Sequence, residues 1–290
     1  MIVVTIGITL LIIWSIGHYR AYVLEQELAT RHPRNASGVM VGAEEIVRAG
    51  TNGAAVLLVH GAGDTPQTMG HLADELHDRG YTVVALLLPG HGRTLRNFSR
   101  HSGDEWYDAV RVSFKSLTDT HSWVGVVGLS MGGALSARLA ADNPDIPALA
   151  LASPYLAMPK GGELATRASR VWGFFVPYVA TASQLSVLDS EARARSLGYG
   201  AMTASALRSL RITAQRGWDA LAYIHTPTLI VQSRADNRIA ASTTLRAFER
   251  LGSVEKTMEW IEGSGHVITV DFGWQRVTTL IGNWMDSHRR

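Results

Sequence analysis

The chain contains no cysteine, which excludes disulfides, thiolate metal sites and a cysteine nucleophile together. It has almost no charge imbalance: 27 Lys and Arg face 25 Asp and Glu, for a formal net charge of +2. No dense basic run stands out, so nucleic acid is not expected as a partner. No His, Asp or Glu cluster shows metal-ligand spacing and no phosphate-cradling motif is evident, so neither a metal nor a cofactor is expected. Internal repeats are also missing. What is present suits a packed interior: 46% hydrophobic against 18% charged residues excludes wholesale disorder. A length of 290 residues allows one large domain or two small ones.

Charge is absent altogether from Met1 to Gly17, where Ile2–Ile16 is mostly Ile, Val, Leu and Thr. As a helix, this stretch reaches about 25 Å, slightly short of a ~30 Å hydrocarbon core. Trp14, His18, Tyr19 and Arg20 follow as an interfacial belt with a charged stop. A retained anchor over residues 1–20 is the expectation, with membrane contact through residues 1–17. A signal peptide, which prefers a basic start and a small-x-small cleavage site, and a buried helix are the alternatives. Arg20, Arg31, Arg34 and Arg48 all follow the segment, so the positive-inside rule favours a cytoplasmic domain.

Residues 21–52 are polar and mixed and read as a stalk leading into short entry strands. From residue 53 the pattern becomes regular. Ala54–Val59, Thr82–Leu88, Trp123–Leu129 and Ile146–Ala152 are apolar runs typical of strands covered on both faces. Helical patterns separate them at 67–79, at Asp104–Leu117 (Trp106, Val110 and Phe114 four apart) and at Met131–Ala141. Such alternation predicts an α/β fold with a mostly parallel sheet flanked by helices. The rhythm breaks at 155–220, where no buried strand is expected and Val171, Trp172, Phe174, Phe175, Val176 and Tyr178 gather. It resumes with Thr228–Val231, a helix near 243–251, a strand near 256–261 and a last helix near 274–284. The expectation is a core of residues 53–154 and 221–290, interrupted by a helical cap at 155–220.

The chemistry lies at strand ends. Gly128-Leu129-Ser130-Met131-Gly132 fits G-x-S-x-G directly after a strand and before a helix. A serine on so sharp a turn needs glycine neighbours to avoid Cβ clashes, and its hydroxyl is thrust above the sheet. Beside it, His60-Gly61-Ala62-Gly63 can aim the Ala62 amide at the same point as the Met131 amide, making a two-donor oxyanion hole. A dinucleotide fingerprint fails there, because Pro66 stands where the third glycine belongs. His60 is better placed to brace this loop than to catalyse. A serine hydroxyl still needs a base, and His266, in Gly263-Ser264-Gly265-His266, is the best-placed histidine. Asp236, on the preceding strand's loop, fits the acid in the order Ser…Asp…His; Asp271 and Glu262 are the fallback acids.

Leu57-Leu58-Val59-His60-Gly61, Thr65-Pro66, Pro89-Gly90-His91-Gly92, the Ser130 turn and Ser264-Gly265-His266-Val267 together resemble the α/β-hydrolase fold over roughly residues 54–288. More narrowly they resemble its bacterial carboxylesterase and monoacylglycerol lipase branch. The resemblance implies a Ser130–Asp236–His266 triad, an Ala62/Met131 oxyanion hole and a cap over an acyl pocket. It also implies a serine esterase that acts on a small-molecule ester through an acyl-enzyme. That branch often has an aromatic where Ala62 stands, so the pocket wall differs here. Trp172, Phe174, Phe175 and Tyr178 are the candidate acyl-binding residues; their rival role is packing the cap on the core. Haloalkane and epoxide hydrolases need an Asp nucleophile and are excluded by Ser130. Acyltransferase, cofactor-free peroxidase and C–C hydrolase activities keep the same triad and stay open, as does a non-catalytic scaffold.

Overall fold

The computed structural model describes residues 2–158, 162–181 and 186–289. The strands among the described residues are β1 (Ile46–Arg48), β2 (Ala54–Val59), β3 (Thr82–Leu86), β4 (Trp123–Leu129), β5 (Leu149–Ala152), β6 (Tyr178–Ala180), β7 (Ala201–Thr203), β8 (Thr228–Ser233) and β9 (Lys256–Ile261). Its α-helices are α1 (Ile2–Arg31), α2 (Gly70–Asp78), α3 (Leu95–Phe98), α4 (Gly103–Thr118), α5 (Met131–Asp142), α6 (Gly162–Arg167), α7 (Ser169–Phe175), α8 (Ser190–Ala194), α9 (Ala204–Ala220), α10 (Ala241–Arg250) and α11 (Trp274–His288).

Seven strands form one sheet in the order β1-β3-β2-β4-β5-β8-β9. All neighbours are parallel except β1, which runs antiparallel to β3. The apolar run of β2 splits by the two-residue period of a strand. Ala55, Leu57 and Val59 face a core shared with α4 and α5, while Ala54, Val56 and Leu58 face one built with α2 and α11. Covering both faces is what makes the parallel strands apolar throughout. In α4 the four-residue spacing buries Trp106, Val110 and Phe114 on one stripe, and Ser102 with Glu105 closes a capping box at its start.

Three expectations change. Helix α1 does not stop at residue 20 but runs unbroken to Arg31. The segment expected to be a stalk is packed on the domain: Leu28, Val39, Met40 and Ala43 are buried in the main core. Its mixed composition is that of an amphipathic surface element, not of a tether. The 155–220 region does hold a buried strand, β7, paired antiparallel with β6; three residues are too few to show a period. Within that region α9 packs against α5 so tightly that a Cβ on Gly217 would lie 2.8 Å from Ala134, which places α9 in the core's helical layer.

Candidate active site

Ser130 occupies the turn between β4 and α5 with φ 55° and ψ −117°, a conformation that costs energy for any L residue. The surroundings impose it. Its N–H donates to the Ala152 carbonyl (3.0 Å), and its own carbonyl accepts from the Tyr155 and Gly133 amides (2.9 Å each). A Cβ on Gly128 would overlap the Gly132 carbonyl, and one on Gly132 would overlap the Val59 carbonyl. These obstacles are backbone and cannot yield.

The Ser130 hydroxyl meets His266, with Oγ 2.8 Å from Nε2, and the ring's Nδ1 lies 2.8 Å from Asp236 Oδ2. An ionised carboxylate only accepts, so Nδ1 carries the hydrogen and Nε2 is left to accept from Ser130. Asp236 is itself fixed: Oδ1 accepts from the Arg238 (2.7 Å) and Ile239 (2.9 Å) amides, and Oδ2 from Gln232 Nε2 (2.7 Å). Burial pushes this carboxyl up, but the hydrogen bond and charge of His266, with the two amides, outweigh it and hold the group below the usual carboxylate range. The arrangement can take a proton from Ser130 and keep the resulting imidazolium oriented.

The His266 loop reads as flexible in sequence but is pinned. Ser233 Oγ donates to the Ser264 carbonyl (2.5 Å), and the Val267 amide to the Ser186 carbonyl (3.0 Å). The main clamp is Asp271, fully buried, whose Oδ2 accepts from the Gly265 (2.6 Å) and Leu188 (2.8 Å) amides. Its Oδ1 accepts from the Asp189 and Phe272 amides (2.8 Å each). Asp271 therefore ties the His266 loop to the cap's return segment instead of touching the imidazole. Glu262, the other fallback acid, pairs with Arg234 at the surface.

Among the described residues, neither the Ala62 nor the Met131 N–H donates to a protein acceptor. Met131 opens α5, whose positive end favours a developing anion there. The loop carrying Ala62 comes close to Ser130: a Cβ on Gly61 would lie 3.2 Å from Ser130 Cβ. His60 braces this loop. The Leu88 amide donates to Nε2 (3.2 Å), so Nδ1 carries the hydrogen and donates to the Gly61 carbonyl (2.9 Å). Burial pulls His60 down to about 4, and His91, edge-on to it, well below its ordinary value. Asp64 escaped the sequence reading. The position of a Gly61 Cβ is 3.6 Å from Asp64 Oδ2 and 3.7 Å from Ser130 Oγ, so this carboxyl and the Ser130 hydroxyl flank the same glycine. Burial pushes it up to about 6, against the pull of the His266 charge. An acid inside a glycine-rich loop was the available signal.

None of the four cap aromatics touches Ser130 or His266 through a described hydrogen bond or ring contact. Trp172 donates its indole N–H to the Ala165 carbonyl (2.7 Å) within the cap. Phe174 is 65% exposed, and its ring meets Phe175 edge-on at 5.2 Å. Tyr178 donates its hydroxyl to Glu25 on α1 (3.1 Å). Composition located this cluster but carried no information on which way the short helix α7 turns its side chains.

Residues 50–272 match the family described as "Serine aminopeptidase, S33". The chain belongs to this family of α/β-hydrolases. This member is 32% identical over 225 residues to the "Thermostable monoacylglycerol lipase" of Bacillus sp. (strain H-257), covering 75% of this chain and 84% of that protein. It is 26% identical over 218 residues to the "Carboxylesterase" of Bacillus subtilis (strain 168), covering 75% and 86%. A solved structure from work on "LipS and LipT, two metagenome-derived lipolytic enzymes" superposes with a TM-score of 0.79 at 25% identity, covering 86% of this chain and all of that one. The family match spans Ala62, Ser130, Asp236 and His266 and leaves α1 outside it. Helix α1 is, by length and composition, able to cross a membrane, a property that an anchor and a signal sequence share.

Proposed function

We propose that this α/β-hydrolase is a serine hydrolase that cleaves carboxylic esters through an acyl-enzyme, with Ser130, His266 and Asp236 as its triad. The observation that carries the reading is the unbroken hydrogen-bonded chain from Ser130 Oγ through His266 to Asp236, with two N–H groups uncommitted beside the hydroxyl. The names of its relatives, a monoacylglycerol lipase and a carboxylesterase, support esters as the substrate class.

In the first step Ser130 Oγ attacks the ester carbonyl carbon while its proton passes to His266 Nε2. The oxygen that becomes negative is held by the Ala62 and Met131 amides, each worth about 3–4 kcal/mol of the barrier. Collapse breaks the ester C–O bond, and the imidazolium returns its proton to the departing alcohol. Water then enters, gives a proton to His266 and attacks the acyl carbon. The second collapse frees the carboxylic acid and restores the Ser130 hydroxyl. Asp236 stays ionised throughout.

Helix α1 acts as a retained anchor, holding the domain at a bilayer where apolar esters concentrate. Its apolar side chains are open to the surroundings, with Val3 82% and Leu11 62% exposed, as lipid contact requires.

The test uses the full chain in detergent with a fluorophosphonate probe, and a panel of p-nitrophenyl esters, monoacylglycerols and aminoacyl p-nitroanilides. Labelling and ester turnover that vanish together in a folded Ser130→Ala variant are the expected result. Ester turnover that survives the substitution, or preference for the anilides, would overturn it.

A further inference from the structure

We propose that α1 is not the whole membrane-contacting surface. The cap helix α7, through Val171 and Phe174, lies in the boundary layer of the leaflet where the charge-free stretch of α1 ends. The inference rests on the reading of α1 as a retained anchor.

It begins with where α1 and the cap cross. A Cβ on Gly17 would overlap the Phe175 carbonyl oxygen and come within 3.3 Å of Val176 Cα. The two backbones therefore touch, and a glycine is required. The next residue adds a second contact, His18 Nε2 to the Phe174 carbonyl at 3.2 Å, with the His18 ring packed on Trp14 at 4.3 Å. Two turns further on, Glu25 Oε1 accepts from the Tyr178 hydroxyl of the cap (3.1 Å) and from the Arg96 amide of the core (2.8 Å). These contacts are spread along α1, so they fix its direction as well as its position. Leu28, buried in the main core, extends the same fixed line.

Gly17 is also the last residue before the polar His18, Tyr19 and the first charge, Arg20. The stretch from Met1 to Gly17 spans about 25 Å, less than the hydrocarbon core it must cross, so its end is drawn to the boundary and not beyond it. Whatever is bolted to Gly17 is held at that depth. The exposed face of α7 is apolar, with Val171 71% and Phe174 65% exposed, and Leu164 on α6 is 76% exposed. Arg170, beside Val171, is exposed with no charged partner among the described residues, and Tyr19 and Tyr22 on α1 are 68% and 61% exposed. Apolar, basic and aromatic side chains together form the composition of an interfacial surface. Continuity with the apolar side chains of α1 selects lipid as the occupant over a second protein. On this proposal Phe174 meets lipid instead of lining an acyl pocket, consistent with its 65% exposure.

The absence of cysteine makes the test direct. Single cysteines replace Ile8, Phe174 or Val254 in the full chain, and each is labelled with a nitrobenzoxadiazole fluorophore in phosphatidylcholine vesicles. Quenching is read from bromine on the acyl chains and from iodide in the water. Ile8 reports the anchor, and Val254, fully exposed, reports water. The expected result is bromolipid quenching at 8 and 174 at least threefold stronger than at 254, with iodide quenching in the reverse order. If position 8 is quenched by bromolipid while 174 follows 254, the cap proposal fails and the anchor reading stands. A label at 174 shielded from iodide yet blind to bromolipid means a protein covers it, and this also overturns the proposal. A position 8 open to iodide removes the anchor reading and the proposal with it.

Discussion

Replacing Asp271 by Asn separates a residue that builds the site from one that works in it. The carboxylate accepts four backbone N–H groups, two on each oxygen, from the His266 loop, the cap's return segment and its own turn. An Asn side chain keeps one accepting oxygen and turns an NH2 group towards the other two donors. Two hydrogen bonds to a charged acceptor are lost, and two buried N–H groups face a donor. At 1–3 kcal/mol for each orphaned group, Asp271→Asn should cost about 2–6 kcal/mol, a large share of a typical domain's 5–15 kcal/mol. With a urea slope of about 3 kcal/mol/M, the midpoint should fall by about 0.7–2 M, read by tryptophan fluorescence. The fluorophosphonate labelling rate of folded protein should fall too, because Gly265 immediately precedes the imidazole. A midpoint within about 0.2 M of the parent would refute the assignment of Asp271 as the clamp.

Asp236→Asn should behave differently: kcat falls about 10⁴-fold because an amide nitrogen opposite Nδ1 imposes the wrong tautomer. The fold survives, since Oδ1 can still accept from Arg238 and Ile239; circular dichroism beside steady-state kinetics checks both halves. Gly132→Ala should abolish soluble expression or cost more than about 3 kcal/mol, because the added methyl meets the Val59 carbonyl. Gly70→Ala, at a helical position with nothing within 4 Å of its Cβ, should instead raise the urea midpoint by the equivalent of about 0.5–1 kcal/mol. Stability should fall as pH drops from 7.5 to 5.5. His60, held near 4 when folded, stays neutral while the unfolded chain takes up its proton, which costs about 1.5 kcal/mol at pH 5.5. His91 acts in the same sense. Asp64, raised to about 6, binds its proton first in the folded state and returns about 1 kcal/mol at that pH. Two histidines against one carboxyl leave a net loss, and a urea midpoint that rises on acidification would contradict this sign.

What the sequence disclosed and what it withheld follow from the range of each force. Strands β2, β4, β5 and β8 were legible because a run buried on both faces must be apolar at every position, and no tertiary knowledge is needed to see it. Ser130 was legible for a local steric reason: Gly128 and Gly132 are demanded by carbonyls within a few residues or on the adjoining strand. Asp236 and His266 required only that each sit on the loop after its strand. Asp271 was visible as an acid but not as a clamp, because its partners Leu188 and Asp189 come from a segment some eighty residues earlier in the chain. Asp64 was hidden by the same effect, its setting being created when the Gly61 turn folds over Ser130. The cap shows the limit most sharply. Six apolar residues between 171 and 178 announce burial, yet α7 is seven residues long, too short for a period to say which side chains face inward. The decisive information lies at Gly17, a residue that in sequence reads only as the last neutral position of an apolar run. Its missing Cβ lets α1 lie against the Phe175 carbonyl, and that contact sets the outward face of the cap.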